Sequence, residues 1–113
     1  MHHVTAIELP DGSWWDWEVR SFDGSRLVLV AGSDLTYGHG LEVRFDGVSY
    51  IRCPMSFHDA AFREPTEAER KLAEQAHDAR PPVIAAFDAD DGPFEGLIVA
   101  DRVEVEPGAF RHS

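Results

Sequence analysis

The stretch RCPMSFHDAAFRE, residues 52–64, sets a lone cysteine five residues ahead of a histidine–aspartate pair. A cysteine nucleophile needs a lowered thiol pKa and a base within hydrogen-bond reach. Cys53 with His39 or His58 as base, and Asp59 or Asp34 to orient the imidazole, is the set that acyl or thiol chemistry would use. The local pattern argues for something plainer. Cys53 sits at a strand end ahead of Pro54, with no helix N-terminus to favour a thiolate, so it reads as a small buried hydrophobe. No residue is assigned a catalytic role on this basis.

Metal chemistry is weighed on the same residues. His39, Cys53, His58 and Asp59 are acceptable zinc ligands by type, but the chain has no C-x-x-C or H-E-x-x-H spacing. The run Asp88-Ala89-Asp90-Asp91-Gly92 resembles the start of a calcium loop, yet glycine occupies the fifth position, where a ligand is required. A polar turn explains it better. Phosphate-cradling glycine loops, serine-nucleophile elbows and dinucleotide fingerprints are missing as well. The expectation is therefore no metal and no cofactor.

Binding chemistry has stronger signals. Trp14, Trp15 and Trp17 crowd one segment, and tryptophan is enriched in interface hot spots. If Trp15 and Trp17 turn toward the core, Trp14 falls on the polar side with Asp16, where folding gives an indole no reason to be. A contact site built from Trp14, Tyr37 and Phe57 is the resulting candidate. A small-ligand pocket inside a rolled sheet, lined by Trp15, Trp17 and Tyr50, is an alternative.

The elements that must position these residues alternate mostly at period two. Strands are expected at 3–9, 14–22 and 27–31. Leu41, Val43 and Phe45 alternate with Glu42, Arg44 and Asp46, and Asp46-Gly47 is a strong two-residue turn signal. A hairpin over 41–53 would pair Phe45 with Val48, Val43 with Tyr50 and Leu41 with Arg52. It would also bring Gly40 opposite Cys53, and His39 near the thiol. Residues 52–64 then serve as a strand exit and loop, pinned to the sheet by Phe57 and Phe62.

One helix is predicted at 66–79. Thr66-Glu67-Ala68-Glu69 reads as a capping box, and Arg80-Pro81-Pro82 ends the helix. Ala68, Leu72, Ala76 and Ala79, with Ala73 beside them, form a narrow apolar stripe. So thin a stripe suits a helix lying across a sheet edge or end. Further strands follow at 83–88 and across 97–105, where Asp101 falls among valines. A break into two strands or a bulge would turn Asp101 outward; buried, it would need Arg102 or Arg52. The fold class is α+β: seven or eight mainly antiparallel strands as a rolled sheet, partial barrel or sandwich, with one helix, in a single domain over 1–113.

Composition narrows the functional class. Hydrophobic residues make up 43% of the 113, so a core is expected rather than disorder. Lys and Arg number 10 against 21 Asp and Glu, for a net charge of −11. Such a surface repels nucleic acid and anionic membranes, and no apolar run is long enough to span a bilayer. The single cysteine, with no signal-peptide pattern at residues 1–12, suits a reducing cytoplasm. The sequence thus reads as a small acidic cytoplasmic binding module for a protein partner. The partner would be basic, held as an immunity protein or antitoxin holds a toxin. A free edge strand would also allow a homo-oligomer.

Overall fold

The computed structural model describes residues 7, 9–10, 14–32, 39–77, 81–89 and 94–110; the side chains at 39, 94, 109 and 110 are excepted. Nine strands and one helix lie within them: β1 (Asp16–Phe22), β2 (Leu27–Gly32), β3 (His39–Asp46), β4 (Tyr50–Arg52), β5 (Ser56–His58), β6 (Ala61–Arg63), α1 (Glu67–Ala76), β7 (Val83–Ala89), β8 (Phe94–Ala100) and β9 (Arg102–Phe110). The expected α+β class is what the chain adopts. All strand pairs are antiparallel, in a five-stranded sheet ordered β5-β1-β2-β3-β9 and a four-stranded sheet ordered β4-β8-β7-β6. The strands beyond the expected number are β5 and β6, two short pieces inside the segment read as a loop. The expected strand at 3–9 falls largely outside the described residues.

The two sheets face each other across one core. Alternation decides which side chains enter it. Trp17, Leu29, Leu41, Val43, Phe45, Phe57, Phe87 and Ile98 are each no more than 1% exposed. Phe57 stacks on Trp17 at 5.8 Å and on Phe87 at 5.0 Å between ring centroids, and Phe62 closes the group against Trp17 and Phe87. Phe57 and Phe62 do pin residues 56–63 to the sheets, but as strands. Aromatic groups of this kind add about 0.5–1.5 kcal/mol per pair beyond their buried area.

The hairpin expected over 41–53 does not form. Phe45 pairs with Leu27 and Val103, Val43 with Leu29 and Val105, and Leu41 with Ala31 and Pro107. Tyr50 pairs with Val99 instead of Val43. Gly47 adopts a left-handed conformation, at φ +67, but Asp46 does not, so the two-residue turn with positive φ at both positions is not made. The chain instead swings out of the five-stranded sheet and into the other one. A turn residue sets local dihedrals, whereas the pairing partner is chosen by the apolar surface it buries. β2 and β9 take both sides of β3 and leave Leu41, Val43 and Phe45 with no exposure.

The crossing is matched by its neighbour. The run 97–105 breaks at Asp101, so β8 belongs to one sheet and β9 to the other, and Asp101 is exposed. Two bent ribbons, β3–β4 and β8–β9, thus run side by side through a shared corner. Asp101 N donates to Asp46 O (2.9 Å), Ser49 N to Val99 O (2.9 Å) and Val48 N to Ser25 O (3.0 Å). From Asp46 to Tyr50 one ribbon advances four residues while the other advances three, from Arg102 to Val99. That single extra residue is a bulge, the usual device for bending a sheet. A Cβ at Gly47 would lie 2.2 Å from Asp101 Oδ2, so the corner needs glycine for space as well as for φ. Asp101 reaches neither Arg102 nor Arg52 but His77, Oδ1 to Nε2 2.9 Å.

The helix lies on the outer face of the four-stranded sheet, not across an edge. Ala73 and Leu72 pack on Ile84, Ala86, Leu97 and Val99 of the two central strands. The capping box is complete: Glu69 N donates to Thr66 Oγ1 (3.1 Å), and Thr66 N donates to Glu69 Oε1 (2.8 Å). The buried stripe is offset by one residue from the expected one, with Glu69 and Ala73 buried and Ala68 exposed. The offset has an ionic cause. Arg52 and Arg63 stand at the two edges of one cross-strand row, with Leu97 and Ala86 between them. Both reach Glu69: Arg63 Nη1 and Nη2 at 2.8 and 3.0 Å, Arg52 Nη2 at 3.7 Å. Helix α1 stops at Ala76, and His77 is extended.

Candidate functional site

Cys53 packs half-buried against the inner core, and its thiol donates to Pro54 O at 3.2 Å. Burial pushes the thiol pKa up to about 12, the reverse of what a nucleophile requires. With the 41–53 hairpin gone, β3 pairs only with β2 and β9, so the register that brought His39 near Cys53 is overturned. The His39 backbone pairs with Phe110, and its side chain lies outside the described residues. His58 is turned the other way. It faces Asp16 across β1–β5, Nε2 to Oδ1 3.1 Å, and its ring stands 5.4 Å from Trp15. Asp59 occupies the β5–β6 turn at φ 50, with its N–H donating to Trp15 O at 2.8 Å. Cys53, His58 and Asp59 therefore do not converge. No group of three metal-ligand side chains occurs among the described residues.

The aromatic candidates separate too. Trp14 and Trp15 exchange the roles expected of them: Trp15 is 44% exposed and Trp14 half-buried. β1 begins only at Asp16, so alternation does not extend back to the first two tryptophans. Trp14 folds over instead. Its Nε1 donates to Pro10 O (2.7 Å), its carbonyl accepts from Trp17 Nε1 (2.7 Å), and its ring lies against Gly40. Phe57, 1% exposed, is held between Trp17 and Phe87 and meets no partner without the core opening. Tyr37 lies outside the described residues. The three residues proposed to line a pocket point three ways: Trp17 into the core, Trp15 to solvent, Tyr50 under the helix. The sheets do not close into a barrel, and side chains fill the space between them.

What the tertiary structure assembles is a charged face. Leu27, Leu29 and Ala31 point inward, so Val28 and Val30 mark the outer side of the five-stranded sheet, where Val30 is nonetheless fully buried. Across that side one cross-strand row reads Ser56, Glu18, Val30, Glu42, Glu106. Asp16 and His58 pair beside one end of the row, and Arg44 and Glu104 pair in the next position. Arg44 bridges Glu42 and Glu106. The carboxylates come from β1, β3 and β9, more than sixty positions apart in sequence at the extreme, so only the sheet order unites them. Each strand's alternation signalled an outward acid; nothing local signalled that the acids share a row.

The second ionic group is the Arg52–Arg63–Glu69 clamp. The Arg63 guanidinium holds the Glu69 carboxyl down at about pKa 2, with the Thr66 N–H adding to the effect. Arg63 also meets Asp88 (3.1 Å) and Glu95 (3.6 Å). The capping box was visible in sequence, but the arginines that meet its glutamate were not, because they arrive from opposite sheet edges. Comparison with known protein families, with curated proteins and with solved structures returns no match for this chain. Among the described residues no helix is long and apolar enough to cross a membrane.

Proposed function

We propose that this protein is a binding module that engages a basic protein partner through the outer face of its five-stranded sheet. The single observation that supports the reading is the gathering of Asp16, Glu18, Glu42, Glu104 and Glu106 from three strands onto that face, in a chain of net charge −11. A face on which carboxylates outnumber the arginines among them, Arg44 and Arg102, attracts an oppositely charged protein and helps orient it on docking. Arg44, held between Glu42 and Glu106, keeps those two side chains fixed in place. In this role the chain neutralises a basic protein in the cytoplasm, as an immunity protein or antitoxin does. A cytoplasmic setting also keeps Cys53 reduced.

The test is binding of a basic protein to the wild type and to the double variant Glu18→Lys, Glu104→Lys. Glu104 is exposed and Glu18 partly exposed, and circular dichroism checks that the variant folds. Binding should weaken by tenfold or more in the variant, and in the wild type as salt rises from about 50 to 300 mM. Equal binding by both proteins, or binding that ignores salt, defeats the reading. Growth protection on co-expression with the protein encoded beside this one would identify an immunity role.

A further inference from the structure

Resting on that basic-partner reading, we infer that β9 receives an extended segment of the partner as an added strand, one that alternates apolar and basic residues. The two sheets end in four edge strands: β5 and β9 in one, β4 and β6 in the other. β4, β5 and β6 are three residues each, while β9 runs nine. A three-residue edge offers too few N–H and C=O groups to template pairing, whereas a long one takes up another strand readily. One side of β9 is paired with β3, and among the described residues no strand pairs with the other. Pro107 lacks an N–H, so the clean run is residues 102–106.

The pleat sorts the side chains of that run. Val103 and Val105 turn toward the inner core, and Arg102, Glu104 and Glu106 are exposed. A groove lined by Val83, Arg102, Val103 and Glu104 lies along this end of the strand. An added strand alternates in step with its neighbour. Running antiparallel, it sets basic residues opposite Glu106 and Glu104, apolar ones opposite Val105 and Val103, and an acid opposite Arg102. Its apolar side chains then extend the core over Val83, and its basic ones join the carboxylate row. A second copy of the chain fits less well. β9 against β9 about Glu104 pairs Arg102 with Glu106 twice, but sets Glu104 against Glu104 and joins two bodies of charge −11.

The test uses the full chain with a synthetic peptide, TKVKVET, and the same peptide N-methylated at alternate backbone amides to block strand pairing. The unmodified peptide should bind saturably, and methylation should cost about tenfold or more, since backbone hydrogen bonds are lost at unchanged charge. Glu104→Lys should weaken TKVKVET about fivefold and strengthen the charge-swapped peptide TKVEVET. Equal binding of the methylated and unmodified peptides overturns strand addition and leaves the basic-partner reading standing. So does binding of lysozyme, a folded basic protein, without binding of either peptide. Loss of peptide and lysozyme binding together overturns both. A dimer of the free chain that Glu104→Gln strengthens, by removing the two facing carboxylates, assigns the edge to a second copy and overturns the partner segment.

Discussion

Each sheet carries, on its outer face, an arginine between glutamates. On the four-stranded sheet Arg63 grips Glu69 under the N-terminus of α1, with the Glu69 side chain 9% exposed. On the five-stranded sheet Arg44 bridges Glu42 and Glu106, and Glu106 is 52% exposed. The chemistry is the same and the surroundings differ. Where a helix removes water, the pair locates an element, and losing one partner strands a charge. Where water remains, the pair is worth little to folding, and its carboxylates stay available to another molecule. One sheet covers its outer face with a helix; the other leaves Glu104 and Glu106 exposed along β9, although Val30 in the middle of its row is fully buried.

The largest test of this contrast is made between the sheets. Phe57→Ala should destabilise by about 3–5 kcal/mol in denaturant unfolding, because the ring fills the space between Trp17 and Phe87. A small effect would mean that residues 56–58 are not part of the core. Glu69→Ala should cost about 2–3 kcal/mol, removing the clamp and half the capping box, whereas Arg44→Ala should stay within about 1 kcal/mol. Comparable losses from the two would erase the distinction between the faces.

Gly96→Ala ranks next. A Cβ there would meet the Phe87 ring at 2.1 Å, so an overpacking cost of about 1–3 kcal/mol is expected by thermal melting. The pH dependence is the finest test. Glu69 has its pKa lowered in the fold, so its contribution is complete above the unfolded value of about 4.3 and fades as pH falls toward 2. In Glu69→Gln that acid limb of the stability curve should flatten. Cys53 is the opposite case. Its raised pKa favours folding below about 9, and that stability is lost as pH rises toward 12. Thiol labelling at pH 8 should therefore follow the unfolding rate, and rapid labelling of the folded protein would contradict its burial.

Sequence by itself determined the elements whose cause is local. Alternation marked inward and outward residues along β3, Thr66 and Glu69 marked the start of α1, and Gly47 marked a position of positive φ. It also supplied the excess of acids. Only the tertiary structure decided which strands are neighbours: that the chain leaves Gly47 for another sheet, that Arg52 and Arg63 meet over Glu69, and that Glu18, Glu42 and Glu106 share a row. The physical reason is range. Dihedral preference and capping act over a few residues, whereas strand order is settled by the apolar surface that distant segments bury together.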